Sequence, residues 1–351
     1  MRTTFHGVVW GMVHFVAVAG AAGELLAQQK TPVPNAAQRA ASQRAADELF
    51  GERFRSARTA DDKTELAAEM IETALKIQDG STDQYAVLRI ARDIAAGVGD
   101  AATALHAAEK LIERFDEPGA HFKAETLLTA ASQATFSSQH KAVAEEARGI
   151  VDSLVKLEKY ELAIRLSEAA RSSAQRAREY ALAKEWSTEV DEFECRYRDL
   201  QEYQAALLVL EEHPTDRAAN LTVGRHLCFV RGDWTRGVPY LALGSDAELK
   251  AVAIQDVRGP VSAQEQAALG SAWWALSESR QDAERDALQL RAGFWYQQAE
   301  PKLAPGLARL KISERLTEIR KLGRIPNLSD GSAKTASRPS AGVPRTSTAP
   351  R

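Results

Sequence analysis

Cysteine is scarce in this chain of 351 residues, since Cys195 and Cys228 are the only two. Two cysteines allow at most one disulfide. Both fall at apolar phases of predicted helices. The sequence alone does not determine whether the two sulfur atoms come close enough to bond. One disulfide and two buried free thiols therefore stay open as equal alternatives.

Motifs of known catalytic sites are missing as well. The sequence contains no G-x-x-x-x-G-K-[ST], no H-E-x-x-H, no G-x-S-x-G and no C-x-x-C. Its carboxylates are spread along helices, often next to Lys or Arg, as in Glu109-Lys110 and Glu158-Lys159. Such charges usually form a solvated surface. We therefore expect a non-enzymatic protein with no catalytic residues, no cofactor and no metal.

A dense positive face is also absent. The formal net charge is −3, and residues 329–351 carry four basic side chains against the single acid Asp330. The rest of the chain is therefore more acidic than the total. Because binding to a nucleic-acid backbone requires clustered Lys and Arg, we expect no nucleic-acid partner.

Strand-like alternation of apolar and polar residues is missing from residues 36–321, where the pattern is helical throughout. In the clearest stretch, from 182 to 210, apolar residues recur three, four or seven positions apart on one helix face: Trp186, Val190, Phe193, Tyr197, Leu200 and Leu207. We predict an all-α protein of stacked helical hairpins. Its longest helix, from 178 to 212, is expected to pack within the chain rather than as a coiled-coil dimer.

Turn residues divide the first half of the chain into separate helices. The predicted helices are 36–58, 60–78, 82–97, 101–116, 120–135 and 138–157. Their boundaries carry a Gly followed by an N-cap residue, a Thr cap or a Pro-Gly stop: Gly80-Ser81, Gly99-Asp100, Thr59 with Asp62, and Glu117-Pro118-Gly119.

Three segments resemble the second half of a tetratricopeptide-type (TPR) hairpin. Gly99-Asp100 leads into residues 101–115, Lys159-Tyr160 into 161–174, and Glu202-Tyr203 into 204–212. Small residues where helices cross and an aromatic residue at the turn suit the close packing of such repeats. The turns do not keep the regular period of about 34 residues. The resemblance, over about residues 82–240, therefore implies a degenerate, TPR-like α-solenoid.

The first 23 residues combine a charged start with an apolar run. Arg2 and His6 precede the run at residues 7–22, which only His14 interrupts, and small residues surround Ala19-Gly20-Ala21. This pattern predicts a secretory signal peptide within residues 1–27 and a periplasmic or secreted protein. The alternative is a membrane anchor formed by residues 7–23, which is shorter than the ~20 apolar residues of a spanning helix. That segment would then be the protein's membrane contact.

Residues 220–250 are the most distinctive part of the chain. The string GRHLCFVRGDW, followed by GVPYLALGSD, a Trp273-Trp274 pair and RAGFWYQQA, is similar to a recurrent helical region of exported planctomycete proteins without assigned activity. The resemblance covers most of residues 45–320. It implies an accessory or interaction role, and it assigns no catalytic residue.

Aromatic residues are concentrated between Trp234 and Trp295, where four of the six Trp lie. They form either a compact core or a groove on which a glycan or a peptide stacks. Adjacent residues on a helix point about 100° apart and cannot both face one narrow core stripe, so the groove interpretation predicts that one residue of the Trp273-Trp274 pair, here Trp274, is exposed. The candidate binding residues are Trp234, Tyr240, Trp273, Trp274 and Trp295.

Two short patterns near residue 230 have structural explanations. His226 and Cys228 are metal ligands by residue type, but positions two apart diverge on a helix, and no His or Cys four apart completes a set. We therefore expect a structural histidine. Arg231-Gly232-Asp233 matches an integrin-type tripeptide, yet it also has the form of a helix-ending Gly followed by an Asp N-cap.

The sequence thus predicts five segments: a leader (1–27), a linker (28–35), a helical-repeat array (36–212), an aromatic-rich helical region (213–322) and a disordered basic Ser/Thr/Pro tail (323–351). The first functional hypothesis is a scaffold or adaptor that binds a protein partner in the cell envelope. The alternative is a module that binds a cell-wall glycan or a peptide through the aromatic cluster.

Overall fold

Helices account for 82% of residues 30–321, the part of the chain that the computed structural model describes. The one β-type pairing in this part is an isolated bridge between Thr31 and Phe115. The prediction of an all-α protein is confirmed. The described helices are α1 (Ala36–Ser56), α2 (Ala60–Ala74), α3 (Thr82–Gly97), α4 (Ala101–Arg114), α5 (Gly119–Gln133), α6 (Ser137–Lys156), α7 (Tyr160–Arg176), α8 (Tyr180–Glu212), α9 (Arg217–Arg225), α10 (Trp234–Leu243), α11 (Ala247–Arg258), α12 (Ala263–Glu278), α13 (Asp282–Ala299) and α14 (Leu307–Lys321). A π-helical turn (His226–Val230) follows α9, and a 3-10 turn (Glu300–Lys302) follows α13.

The helix boundaries in the first half follow the turn chemistry of the sequence. At the start of α2, the Thr59 hydroxyl accepts a hydrogen bond from the Asp62 N–H at 3.1 Å, and the Asp62 carboxylate accepts one from the Thr59 N–H at 3.0 Å. Gly80 and Gly99 have φ angles of 72° and 77°, which glycine adopts without a Cβ penalty. A capping side chain follows each of them. The predicted helices from α1 to α6 are confirmed, with their ends displaced by at most four residues.

The described residues divide into two compact units, and the first of them ends at Glu194. In this N-terminal unit each helix from α2 to α6 packs against the next one, and α1, α3, α5 and α7 also contact one another in that order. Ala91, Ala107 and Ala163 are fully buried in its core. Because the distance between packed helices depends on the side chains at the contact, such small residues allow close crossings.

Trp186 anchors the first part of α8 in the N-terminal unit. Its ring is fully buried, and its Nε1 donates a hydrogen bond to the Ala144 carbonyl at 3.2 Å. The Arg148 guanidinium stacks over the same ring, 4.2 Å from its centroid. Phe193 is buried in the same core. The predicted apolar face of this helix is buried at Trp186, Val190, Phe193 and Leu200 and half-buried at Tyr197 and Leu207, and its first part packs within the chain.

α8 is one continuous helix of 33 residues. The turn predicted at Glu202-Tyr203 is therefore wrong. Tyr203 lies inside the helix, where its ring stacks on that of His226 at a centroid distance of 4.1 Å, and neither Gly nor Pro is present to end the helix there. The division between the compact units falls within α8, between Glu194 and Cys195. The boundary at residues 212–213 between the helical-repeat array and the aromatic-rich region stays a prediction.

The C-terminal unit contains the rest of α8 and the helices from α9 to α14. α9 packs on α10, α10 on α11, and α12, α13 and α14 pack in succession. α12 and α13 approach closely at Gly270, where a Cβ would lie 2.7 Å from the Tyr296 ring. The core of this unit is rich in aromatic side chains, which include Trp273, Trp274 and Trp295.

Two predicted segments lie outside the described residues: the signal peptide (1–27), with its alternative anchor at 7–23, and the tail (323–351). The described part of the predicted linker pairs with the end of α4. The Thr31 N–H donates to the Arg114 carbonyl and the Asp116 N–H donates to the Thr31 carbonyl, both at 2.9 Å. Among the helices within residues 30–321, none combines the length and the apolarity that crossing a membrane requires.

Candidate functional site: an aromatic pocket in the C-terminal unit

A pocket of about 330 Å³, here called the aromatic pocket, opens in the C-terminal unit. Its walls come from residues 232–235 at the start of α10, from α13 and from the end of α14. The side chains that α13 and α14 contribute are Leu290, Arg291, Phe294, Gln297 and Ile319. The volume falls within the range of ligand sites in proteins, about 300–1,000 Å³.

The wall at α10 is set by a tight turn. Gly232 has a φ angle of 67°, and Asp233 caps α10 by accepting a hydrogen bond from the Arg236 N–H at 3.0 Å. The predicted helix-ending Gly and Asp N-cap are confirmed. The turn places Trp234, the first residue of α10, in the lining of the pocket, with its ring half-buried.

A buried carboxylate lies next to the pocket. The side chain of Asp256, on α11, is 4% exposed. Its Oδ2 accepts hydrogen bonds from Trp273 Nε1 at 2.7 Å and from Trp295 Nε1 at 3.0 Å. Arg291 completes an ion pair, with Nε 2.9 Å from Oδ2 and Nη2 2.5 Å from Oδ1. A charge inside a protein is tolerated when it is paired and hydrogen-bonded, and four donors satisfy this one.

Aromatic rings surround the Arg291 guanidinium. Its central carbon lies 4.7 Å from the centroid of Phe294, 5.2 Å from that of Trp295 and 5.4 Å from that of Trp234. Cation–π attraction strengthens when the cation is removed from water, and the Arg291 side chain is only 12% exposed. Because Nε and Nη2 are bound to Asp256, Nη1 is the guanidinium nitrogen that remains for a ligand.

The five predicted binding residues do not come together at one surface. Trp234 lines the pocket. Trp273 and Trp295 are buried and hold the Asp256 carboxylate. Tyr240 is half-buried on α10, outside the lining of the pocket.

The expectation that one residue of the Trp273-Trp274 pair is exposed is wrong, because Trp273 is fully buried and Trp274 is 7% exposed. The two side chains do diverge, but each side of α12 is covered. Trp273 reaches Asp256 on α11. Trp274 donates from Nε1 to Glu278 at 3.1 Å, and its ring lies 4.9 Å from the Arg315 guanidinium of α14.

Asp256 and Arg291 were not singled out from the sequence, and Phe294, although it lies in the RAGFWYQQA string, was not among the candidate binding residues. For Asp256 a signal exists, because α11 places Leu249, Ala253 and Asp256 on its buried side. A carboxylate in such an apolar phase is rarely fully buried unless it is paired. No comparable signal identifies Arg291 as the partner, since 35 positions separate it from Asp256.

Cys195 and Cys228 are both free thiols. Cys195 is exposed on α8, because the buried face of that helix runs through Phe193 and Leu200 instead. Cys228 lies in the π-helical turn and is 1% exposed, and burial raises the pKa of its thiol. Neither predicted alternative, a disulfide or two buried thiols, describes this arrangement.

Within residues 30–321, no three His, Cys, Asp or Glu side chains are grouped so that they could hold a metal ion. His226 has structural contacts: its ring stacks on Tyr203, and its Nε2 accepts a hydrogen bond from Arg231 Nε at 3.1 Å. His213 is exposed at the end of α8.

The N-terminal unit has a wider groove of about 530 Å³ between α4, α5 and α6. Its lining contains the ion pair of Lys123 and Glu109, 2.6 Å apart, together with Glu145 and Glu146. Its lining includes no aromatic side chain. Because aromatic and arginine side chains contribute most to binding energy at interfaces, the aromatic pocket is the stronger candidate site.

Comparisons of the chain with protein-family models, with curated proteins and with solved structures find no match. The function proposed below therefore depends on the geometry of the aromatic pocket and on the sequence.

Proposed function

We propose that this chain is an exported, non-enzymatic helical scaffold that binds a protein partner, and that the partner docks at the aromatic pocket. The observation that carries the proposal is the Asp256–Arg291 ion pair, with its 2.5 Å Nη2–Oδ1 contact. This pair fixes an arginine between the rings of Trp234 and Phe294 before any ligand arrives. Side chains that are already immobilised lose little entropy on binding.

The acids near the pocket favour binding over catalysis. A general acid or base must exchange a proton with its substrate. Asp256 instead accepts four hydrogen bonds from neighbouring side chains. Asp233 caps α10, and its Oδ2 lies 3.6 Å from the Arg236 guanidinium. Both carboxylates are committed to structural partners.

The N-terminal unit supports the scaffold proposal. We infer a TPR-like α-solenoid, because consecutive helices pack in neighbouring pairs and Gly99-Asp100 and Lys159-Tyr160 stand at the starts of α4 and α7. Helical-repeat arrays present extended surfaces for partners. The leader predicted within residues 1–27 and the resemblance to exported planctomycete proteins support a location in the cell envelope.

A glycan-binding module is the second candidate. The rings of Trp234 and Phe294 are partly open to solvent, which would allow a sugar ring to stack on them. A glycan, however, brings many hydroxyl groups that need hydrogen-bond partners once they leave water. Gln297 and Thr235 are the uncharged polar side chains in the lining. A protein partner is therefore the preferred occupant.

Co-purification from an envelope extract at physiological salt tests the proposal. The wild-type chain is compared with Trp234→Ala and with the control Gln264→Ala, whose side chain is exposed on α12 outside the pocket. We expect an envelope protein that the wild type and the control retain and that Trp234→Ala loses, with circular dichroism unchanged. The proposal would be contradicted if all three chains retained the same envelope proteins, or if none of them retained any. Quenching of tryptophan fluorescence by cell-wall oligosaccharides would support the glycan instead.

A further inference from the structure

We infer that the aromatic pocket binds an uncharged stretch of peptide, with one apolar side chain against Trp234 and Phe294 and a backbone carbonyl on Arg291 Nη1. This inference rests on the proposed function and specifies the chemistry of the docking segment. It separates the peptide from three other ligands that aromatic pockets accept, namely a carboxylate, an ammonium group and an oligosaccharide.

Arg291 provides one directional donor in the pocket. Its Nε and Nη2 are held by Asp256 at 2.9 and 2.5 Å, and three rings lie within 5.4 Å of the guanidinium carbon. Arg291 lines the pocket, and within residues 30–321 its Nη1 forms no hydrogen bond. Every N–H of a guanidinium is a donor. An acceptor on the ligand would therefore meet a donor whose position is already fixed.

The charges around the pocket favour a neutral acceptor. Arg291 is paired with Asp256, and Asp233 at the start of α10 lies 3.6 Å from the Arg236 guanidinium. The charges are thus balanced before a ligand enters. A ligand carboxylate would add a second negative charge beside Asp256, and an ammonium group would lie next to a guanidinium. Like charges held a few ångströms apart repel each other and oppose binding. A peptide carbonyl brings no net charge, so it meets no such repulsion.

The apolar walls select a large aliphatic or aromatic side chain. Leu290 and Ile319 face the pocket together with the two rings. Ile319 lies close to α13 because Gly293 has no side chain, and a Cβ there would be 3.0 Å from Ile319 Cδ1. At about 330 Å³, the pocket is near the lower limit for ligand sites. That volume suits one side chain with its adjoining peptide unit.

An oligosaccharide fits this lining less well. Its hydroxyl groups lose hydrogen bonds to water on entry, and each one left without a partner weakens binding. Gln297 and Thr235 are the uncharged polar side chains available to replace those bonds. A peptide segment with an apolar side chain has far fewer polar groups to satisfy.

Small probes on the full chain test this ligand class by ligand-observed saturation-transfer NMR and titration. The matched probes are N-acetyl-phenylalanine N-methylamide and N-acetyl-phenylalanine, which differ by the charge of the terminal carbonyl group, with phenethylamine and chitotriose as the cationic and sugar probes. We expect the methylamide to bind roughly tenfold more tightly than the carboxylate, because the carboxylate brings a second negative charge close to Asp256 and loses more hydration when it leaves water. Phenethylamine and chitotriose should bind more weakly still.

Three variants locate the binding. Thr235→Trp introduces a bulky ring at an exposed position of the lining, and it should abolish methylamide binding. Gln264→Trp, on an exposed position of α12 outside the lining, should bind as the wild type does. Arg291→Lys keeps a cation opposite Asp256 but removes Nη1, and it should bind the methylamide roughly tenfold more weakly. If Arg291→Lys does not fold, Thr235→Trp still shows whether the methylamide binds in the aromatic pocket.

Four results would overturn the inference. They are equal affinity for the methylamide and the carboxylate, tighter binding of chitotriose than of the methylamide, methylamide binding that survives Thr235→Trp, and no methylamide binding at all. The co-purification comparison with Trp234→Ala separates this result from failure of the proposed function. It detects any partner at the pocket, whatever the chemistry of its docking segment.

Discussion

Gly237 of α10 lies against Cys228 of the π-helical turn with no room for a side chain between them. A Cβ at Gly237 would overlap the Cys228 Sγ, and it would lie 3.0 Å from the Cβ of Leu227 and 3.1 Å from the Cys228 backbone nitrogen. Cys228 is itself 1% exposed and packs in the core of the C-terminal unit. The contact holds α10 on the turn, and with it Trp234 at the start of that helix.

Gly237→Ala is therefore expected to lower the free energy of unfolding by about 1–3 kcal/mol, the usual cost of overpacking a core. Gly149 of α6 is the matched control, because nothing lies within 4 Å of a Cβ placed there. Since Ala is the better helix former, Gly149→Ala should raise stability by up to about 1 kcal/mol. Urea denaturation followed by circular dichroism measures both, and changes of the same sign would contradict the packing argument.

Asp256→Asn should lower the free energy of unfolding by about 3–5 kcal/mol, because it leaves the Arg291 charge buried without a counter-ion. The control is Glu69→Gln, which breaks the exposed Arg53–Glu69 pair, whose side chains are 52% and 45% exposed. Exposed pairs contribute less than about 1 kcal/mol. Urea denaturation gives both values, and similar losses in the two variants would show that the buried pair has no special role.

The two thiols should react at very different rates with a thiol reagent such as Ellman's reagent. Cys195 is exposed and should react at once in the native protein. Cys228 is buried and its thiol pKa is raised, so it should react only in denaturant. Cys195→Ser should remove the fast phase. A native protein that releases thiols only after reduction would instead contain a disulfide.

His140 should make the stability depend on pH. It is 5% exposed, and burial, followed by the charge of Arg176, lowers the pKa of its imidazole below the ordinary value of about 6.5. The unfolded chain then binds this proton more readily than the folded one. The free energy of unfolding should therefore decrease as the pH falls from about 6.5 to the lower pKa of folded His140. Urea denaturation across this range should show a smaller decrease for His140→Gln, and parallel profiles would contradict the prediction.

Much of the fold could be predicted because helix boundaries depend on contacts between near neighbours. The Thr59–Asp62 capping box joins residues three positions apart and is visible in the sequence. The turn predicted at Glu202-Tyr203 was wrong for a related reason. The neighbouring sequence does not distinguish an aromatic residue at a turn from one inside a helix. The Tyr203 ring stacks on His226, which belongs to the next helical segment.

The candidate site was predictable only in part. The concentration of Trp residues indicated the region, and Trp234 does line the pocket. The sequence does not distinguish the ring at the pocket from those that hold the carboxylate. Trp273 and Trp295 became structural because Asp256, on a third helix, accepts hydrogen bonds from both.

The sequence by itself determined the helical class, the starts of the first helices and the apolar face of α8, since propensity, capping and periodicity act within a few turns of one helix. Only the tertiary structure decided that Trp274 is covered, that Cys195 is exposed and that Arg291 has Nη1 to offer. The burial and the pairing of a side chain depend on which helix, distant in the sequence, packs against it. α14 packs over Trp274, and α11 provides the carboxylate that pairs with Arg291. No pattern within a single helix carries that information.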